Sequence, residues 1–209
     1  MEVSVSFLKE GNYKKYIESI NKTEADYIHF DVMDGKFVNN KNLPLKELLE
    51  LIYFSEKKND VHLMVKNPSK YIEKLALYDI EYLTIHSEID NCDMFIDKIR
   101  SFGIKPGIAI NPYTDVEKVL PLLSKVNLVL VMGVVPGESG QTFILETEKK
   151  IKRLKEEIVK RGLSVKISVD GGICEEVLDK VRDADIVVSA SYVLDDLSNI
   201  SKIKKFYIE

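Results

Sequence analysis

The chain has 209 residues, of which 45% are hydrophobic and 31% are charged, and its formal net charge is −4. This length and composition predict one globular domain over residues 1–209. The slight negative charge favours neither nucleic acid nor an anionic membrane as a partner. The first residues do not read as a secretory signal, and the two cysteines, Cys92 and Cys174, form no C-x-x-C pair. We therefore expect a cytoplasmic protein with reduced thiols.

Short β-rich segments alternate with amphipathic helical patterns along the chain. The predicted strands are Val3–Phe7, Tyr27–Asp31, Val61–Val65, Tyr82–His86, Gly107–Asn111, Leu128–Met132, Lys166–Asp170 and Ile186–Ser189. The clearest predicted helices are Leu45–Phe54, Tyr71–Leu77, Phe95–Phe102, Thr147–Arg161 and Ile200–Phe206. Eight strands that alternate with eight helices indicate parallel βα units, because parallel strands need a crossover between them.

Apolar and polar side chains alternate within several of these strands. In the first strand Val3, Val5 and Phe7 alternate with Ser4 and Ser6. Since successive side chains of a strand point to opposite faces, each such strand has one apolar face for a helix layer and one mixed face. The strands of an open doubly wound sheet are covered on both faces and read as nearly continuous apolar runs. The alternation therefore favours an α/β fold of the (β/α)8 TIM barrel type.

Histidine and aspartate side chains stand at or near the ends of several predicted strands. His29 and Asp31 are two residues apart and share one face of the second strand, His62 belongs to the third strand, and Asp170 ends the seventh. The carboxyl ends of the strands carry the active site in barrel enzymes, and imidazole with carboxylate suits Zn, Fe, Co or Mn. The alternative is a pair of hydrogen-bonded core histidines with an aspartate that caps a strand.

Loops rich in glycine and serine follow the last three predicted strands. They read Val135-Pro136-Gly137-Glu138-Ser139-Gly140-Gln141, Asp170-Gly171-Gly172 and Ser189-Ala190-Ser191. Glycine lets backbone N–H groups approach an anion closely, and barrels often bind phosphate with the loops after strands seven and eight. The loops therefore predict a phosphate site, with ordinary turns as the alternative.

Methionines end three of the inward-facing runs, at Met33, Met64 and Met132. One interpretation is apolar core filler, because methionine adapts to irregular gaps. The other is a dry wall around a reactive intermediate.

Taken together, these segments resemble the motifs of the ribulose-phosphate 3-epimerase family. The residues from His29 to Gly35 read H-F-D-V-M-D-G, where the family has H-x-D-V-M-D-G. Residues 61–65 read V-H-L-M-V as in the family, and residues 168–172 read S-V-D-G-G in place of E-V-D-G-G. Residues 134–143 read V-V-P-G-E-S-G-Q-T-F and are similar to V-x-P-G-F-G-G-Q-x-F. The match runs in order from about Ser4 to Leu194.

The resemblance implies an isomerase of carbohydrate metabolism, an epimerase that inverts C3 of a phosphorylated ketose. The leading reaction converts D-ribulose 5-phosphate to D-xylulose 5-phosphate in the pentose phosphate pathway. The resemblance also implies one divalent metal ion, Zn, Fe, Mn or Co, bound by His29, Asp31, His62 and Asp170, and no organic cofactor. Asp31 and Asp170 would transfer the proton through a metal-stabilised enediolate, because inversion needs a base on one face and an acid on the other. We also expect a homo-oligomer.

Substrate contacts are implied by the same resemblance. Ser4 would contribute from the first strand, and His62 would contact the sugar as well as the metal. Three loops would hold the phosphate, with the residues Gly137, Glu138, Ser139, Gly140, Gly171, Gly172, Ala190 and Ser191.

Several loop positions depart from the family pattern. The family's F-V-P-N is Phe37-Val38-Asn39-Asn40, its G-F-G-G is Gly137-Glu138-Ser139-Gly140, and its G-S after strand eight is Ala190-Ser191. Glu138 places a carboxylate beside the expected phosphate. The departures leave open a hexulose-phosphate 3-epimerase, such as one acting on allulose 6-phosphate, and a barrel that binds a sugar phosphate without turnover. A metal-free phosphate-binding barrel would share the glycine loops but not the histidine–aspartate set.

Overall fold

Eight parallel strands form a closed barrel in a computed structural model that describes residues 1–7, 11–138 and 140–207. The strands are β1 Glu2–Ser6, β2 Tyr27–Met33, β3 Lys58–Met64, β4 Tyr82–His86, β5 Lys105–Ile110, β6 Leu128–Met132, β7 Lys166–Asp170 and β8 Ile186–Ser189. Each strand pairs with its neighbours in chain order, and β1 also pairs with β8, which closes the barrel. The predicted (β/α)8 TIM barrel is confirmed, and β4, β6, β7 and β8 have the predicted bounds.

Helices surround the barrel, but they are not all α-helices. The α-helices are α1 Tyr13–Asn21, α2 Leu45–Phe54, α3 Ser69–Leu75, α4 Cys92–Ser101, α5 Glu146–Lys160, α6 Ser191–Asp195 and α7 Asn199–Phe206. The connections after β5 and β7 contain the 3-10 helices Val116–Lys118, Leu120–Lys125 and Glu175–Val181. A helical segment follows every strand, as predicted, but after β5 and β7 it is 3-10 rather than α-helical.

The longest helix, α5, shows how the outer layer attaches to the strands. Its residues Ile151, Leu154 and Ile158 recur at helical spacing and are buried against the barrel. Outward-facing strand residues such as Val3 and Val5 are fully buried in the same apolar core. No helix in the described ranges combines the length and the apolar character that a membrane span requires.

The barrel interior is divided into an apolar floor and a polar sector. Tyr27, Tyr82, Leu128 and Ile186 form an apolar cluster at the amino ends of the even-numbered strands. Above this floor, a second apolar cluster comes from β5, β6 and β8 and contains Ala109, Leu130, Met132 and Val188. Between this floor and the methionines at the carboxyl ends of β2 and β3, the interior-facing residues of β1 to β4 are instead polar, namely Ser4, Ser6, His29, Asp31, Asp60, His62, Thr84 and His86. Polar chemistry is thus concentrated on one side of the barrel.

Candidate metal centre and active-site cavity

Four side chains meet inside the carboxyl half of the barrel: His29 and Asp31 from β2, His62 from β3, and Asp170 from the end of β7. One nitrogen or oxygen atom from each lies within 4.8 Å of the others. Strand register explains the meeting, because Asp31 lies beside His62 in the pairing of β2 with β3. Asp170 reaches the group from across the barrel, so the structure brings together all four residues that the sequence singled out.

The spacing of these atoms fits a single divalent cation. His62 Nδ1 lies 3.0 Å and His29 Nε2 lies 3.3 Å from Asp31 Oδ1. Asp170 Oδ2 lies 3.9 Å from His29 Nε2 and 3.8 Å from His62 Nδ1. Ligand atoms bound to Zn²⁺ at about 2.0–2.2 Å lie roughly 3–3.5 Å apart. His29 Nε2 is buried without a hydrogen-bond partner in the described structure, as expected of an atom that awaits a metal.

Burial and charge make the two aspartates of this group different acids. Burial and the nearby negative charge of Asp31 raise the pKa of Asp170 to about 6. Burial also favours the neutral form of Asp31, but the charge of His29, together with the charge and hydrogen bond of His62, lowers its pKa well below the usual range. For His29, burial works against the charged ring, yet Asp60 and Asp31 raise its pKa well above the usual value. Asp31 is therefore held ionised while Asp170 titrates close to neutral pH.

A second set of polar side chains contacts the ring nitrogens of His29 and His62 that point away from Asp31. Asp60 Oδ2 lies 2.7 Å from His29 Nδ1. His62 Nε2 lies 2.8 Å from His86 Nε2, and His86 Nδ1 lies 3.1 Å from Glu88 Oε2. Burial lowers the pKa of His86 to about 4, so that ring is neutral near pH 7. The sequence interpretation placed His86 at a predicted strand end but assigned no role to Asp60 or Glu88, each of which is two residues from a histidine on the same strand or just beyond it.

A cavity of about 300 Å³ opens above the metal candidates at the carboxyl ends of the strands. Its lining includes Asp31 and Asp170 and the methionines Met33, Met64 and Met132. From the three loops it includes Gly137, Glu138, Gly140, Gly171, Gly172, Ala190 and Ser191. Further lining residues that the sequence interpretation missed are Ser6, Cys174, Tyr192 and Asp195. Two of the four predicted metal ligands, all three methionines and seven of the eight predicted phosphate-loop residues thus line one cavity.

Two predicted substrate contacts lie elsewhere, and a third cannot be placed. Ser4 is fully buried below the cavity, where its Oγ donates a hydrogen bond to Asp60. Ser6 lies one inward-facing position higher on β1, at the level of His29, and lines the cavity. His62 is fully buried and does not line the cavity. Ser139 lies outside the described residues.

The glycines of the loops permit close backbone approach between β6 and β7. Gly133 N–H donates to the carbonyl of Asp170 at 2.6 Å. Gly172 has φ +69°, and a Cβ there would lie 2.7 Å from the backbone nitrogen of Phe143. The described cavity lining contains no lysine or arginine, and besides Asp31 and Asp170 it has two further acidic residues, Glu138 and Asp195. An anion in this part of the cavity would therefore depend on backbone N–H groups.

Fold and site together define a barrel enzyme with a candidate metal centre beneath an open cavity. The description "Ribulose-phosphate 3 epimerase family" belongs to a family model that matches residues 2–194. A ribulose-phosphate 3-epimerase of Helicobacter pylori strain J99 is 36% identical over 100% of this chain and 95% of its own length. One of Methanocaldococcus jannaschii is 36% identical over 92% of this chain and 83% of its own length. The chain belongs to the ribulose-phosphate 3-epimerase family and is an isomerase, an epimerase acting on carbohydrates.

Solved structures support the fold independently of the family. The tryptophan synthase structure of Mycobacterium tuberculosis matches with a TM-score of 0.67 at 12% identity, over 99% of this chain and 90% of that one. The N-(5'-phosphoribosyl)anthranilate isomerase of Pyrococcus furiosus matches with a TM-score of 0.65 at 17% identity, over 99% and 98%. At this level of identity the likeness concerns the barrel alone.

Proposed function

We propose that this chain is a metal-dependent epimerase that interconverts D-ribulose 5-phosphate and D-xylulose 5-phosphate. The observation that carries the proposal is the cluster of His29, Asp31, His62 and Asp170 at the base of a cavity with glycine-rich loops. Family membership supports the reaction type, and the names of the relatives support the pentose substrate. We propose that residues 1–209 act as one catalytic domain.

We propose that Asp31 and Asp170 are the acid and the base. Both carboxylates line the cavity, and they come from β2 and β7 on different sides of the barrel, so they can flank one carbon atom of a bound sugar. Ser6 Oγ donates to Asp31 Oδ2 at 2.8 Å and fixes the orientation of that carboxylate. One aspartate removes the C3 proton from one face while the other returns a proton to the opposite face.

Four side chains would hold the cation: His29, Asp31, His62 and Asp170. When bound, a divalent cation supplies Lewis-acid stabilisation of the negative charge that develops on the sugar oxygens. Mixed imidazole and carboxylate ligands suit Zn, Fe, Mn and Co alike. The proposal therefore includes one divalent metal ion and no organic cofactor.

The remaining walls of the cavity have complementary roles. Met33, Met64 and Met132 would cover the reacting carbons and exclude water, which strengthens the interactions of nearby charges. The phosphate would bind the backbone N–H groups of the loops around Gly137, Gly140, Gly171, Gly172, Ala190 and Ser191, with Glu138 and Ser139 in the same loop.

Two further expectations accompany the enzyme. A rice relative is named a cytoplasmic isoform and is 39% identical over 77% of this chain and 71% of its own length, which supports a cytoplasmic location. The expectation of a homo-oligomer stays a prediction.

A second candidate function is a hexulose-phosphate 3-epimerase, for example one acting on allulose 6-phosphate. The loop Phe37–Asn40 favours it, because this loop differs from the family pattern and contacts Gly137 in the predicted phosphate-binding loop after β6. Asn40 Nδ2 donates to the carbonyl of Gly137 at 2.7 Å, and a Cβ at Gly137 would lie 3.0 Å from Val38. A change in this contact would alter the distance available between the metal and the phosphate.

The assay is product formation by purified protein that has been stripped of metal and reloaded with Zn²⁺, Mn²⁺, Co²⁺ or Fe²⁺. We expect D-xylulose 5-phosphate from D-ribulose 5-phosphate, and kcat/KM at least about tenfold higher than with allulose 6-phosphate, since specificity is the ratio of these constants. A higher value for the hexulose phosphate would establish the second candidate. Sugar-phosphate binding without product for any metal would identify a non-catalytic barrel and refute both.

A further inference from the structure

We propose that a carboxylate, buried in one case and partly buried in the other, stands behind each of the two candidate metal-binding histidines and fixes the ring nitrogen with which each binds. Asp60 does so directly for His29, and Glu88 does so for His62 through the ring of His86, an arrangement named here the His86–Glu88 relay. The inference rests on the metal site proposed above and assigns positioning roles to three residues outside the ligand set.

Asp60 is a buried carboxylate whose only charged-group contact within the described structure is His29. It is 2% exposed, and its Oδ2 lies 2.7 Å from His29 Nδ1 and 3.1 Å from Ser4 Oγ. Burying a carboxylate without a cation is costly, so the buried Asp60 needs a positive charge nearby to compensate for its own. A divalent cation bound on the far side of the imidazole would provide that charge.

The contact with Asp60 determines the tautomer of His29. A carboxylate only accepts hydrogen bonds, so His29 Nδ1 must carry a hydrogen and donate it. A bound cation takes the place of any proton on Nε2, so the metal-bound ring has its hydrogen on Nδ1 and directs the lone pair of Nε2 to the metal. Nε2 is the buried, unpartnered atom that lies 3.3 Å from Asp31 Oδ1, so the lone pair is directed to the candidate metal position.

The His86–Glu88 relay determines the tautomer of His62 in the same way, except that the ring of His86 lies between the carboxylate and His62. Glu88 accepts from His86 Nδ1 at 3.1 Å, and its other oxygen accepts from the backbone N–H of Asn111 at 2.9 Å. With its ring hydrogen on Nδ1, His86 presents the lone pair of Nε2 to His62 Nε2, which lies 2.8 Å away and donates its hydrogen. His62 then carries its hydrogen on Nε2 and leaves Nδ1 free to bind the metal.

The two histidines thus need opposite tautomers, and each has the partner that selects it. His29 would bind through Nε2 and His62 through Nδ1, because these are the atoms that face Asp31 and Asp170. Partners that orient metal-binding histidines typically change metal affinity by about 10–100-fold when they are removed.

The first test measures the Kd of the stripped protein for Zn²⁺ by competition with a chelator. Asp60→Ala and His86→Leu remove the contacts, and we expect each to raise the Kd about 10–100-fold. Asp60→Asn and His86→Gln retain an acceptor for the histidine, and His86→Gln also retains a donor to Glu88, so each should stay close to the wild-type value. A matched control is Glu157→Ala, which removes another buried carboxylate, 5% exposed, that pairs with Arg153 and Arg161.

The second test uses the wild-type protein and does not depend on the folding of variants. In ¹⁵N-histidine spectra of the Zn²⁺-loaded protein, we expect the ring hydrogen on Nδ1 of His29, on Nε2 of His62 and on Nδ1 of His86. A hydrogen on Nδ1 of His62 would overturn the relay, and wild-type affinity in both Asp60→Ala and His86→Leu would overturn the positioning roles. The proposed epimerase survives either result if wild-type protein binds Zn²⁺ and forms product. Failure of the wild-type protein to bind Zn²⁺ would overturn both.

Discussion

The substitution Gly172→Ala tests whether the loops after β6 and β7 form one rigid phosphate site. Gly172 has φ +69°, and an alanine there would be strained by about 1–2 kcal/mol in the left-handed region. Its Cβ would also lie 2.7 Å and 2.8 Å from the backbone N and Cα of Phe143. Because these atoms are backbone, the loop itself must shift, at a further cost of about 1–3 kcal/mol.

The matched control for Gly172→Ala is Gly103→Ala. Gly103 has φ +79° but has no atom within 4 Å of the added Cβ, so the control isolates the backbone strain. Urea denaturation should show that Gly172→Ala lowers the free energy of unfolding by about 1–3 kcal/mol more than the control does. Displacement of the loop should also lower kcat/KM for D-ribulose 5-phosphate by about 10–100-fold, whereas Gly103→Ala should leave it unchanged. Equal destabilisation by the two variants, or unchanged kcat/KM in Gly172→Ala, would refute the rigid two-loop site.

Three other perturbations have distinct expected outcomes. Asp170→Asn removes one acid/base group, so product formation should fall by about 10²–10⁴-fold while binding of the sugar phosphate persists, and a smaller loss of rate would argue against the role. Glu138→Gln removes a carboxylate from the cavity, so KM should fall at low ionic strength and the difference should shrink with salt, whereas a raised KM would contradict the repulsion. Zn²⁺ affinity should fall as the pH decreases from about 7 to 5, because protons compete with the metal for His29, whose pKa is raised well above its usual value, and then also for Asp170, whose pKa is raised to about 6. Calorimetric titrations at about pH 5 and pH 7 measure this effect, and equal affinities would contradict it.

Period-two alternation was sufficient to predict which face of a strand points inward, but not how deep a residue lies. The pattern of β1 correctly separates Ser4 and Ser6 from the valines that pack under the helices. It does not show that Ser4 lies beside the buried Asp60 while Ser6 reaches the cavity. Depth depends on the stagger between strands, which pairing with β2 and β8 determines and which no single segment contains.

Sequence likewise identified only part of the site, namely the metal candidates but not their hydrogen-bond partners. His29, Asp31, His62 and Asp170 could be identified because their chemistry suits a metal and their positions coincide with strand ends. The partners behind the histidines could not be identified, since a buried aspartate and a strand-end glutamate resemble ordinary polar residues until the neighbouring strand is placed beside them. Asp60 is the clearest case, because its contact with His29 crosses from β3 to β2.

The most direct test of the central claim is solvent exchange at C3 of the substrate. Protein loaded with Zn²⁺ is incubated in D₂O with D-ribulose 5-phosphate, and proton NMR follows the C3 signals of both epimers. We predict that deuterium replaces the C3 proton as D-xylulose 5-phosphate appears, because the epimer receives its proton from a group that exchanges with solvent. Retention of the C3 proton with every one of Zn²⁺, Mn²⁺, Co²⁺ and Fe²⁺ would contradict the assignment of this barrel as a C3 epimerase.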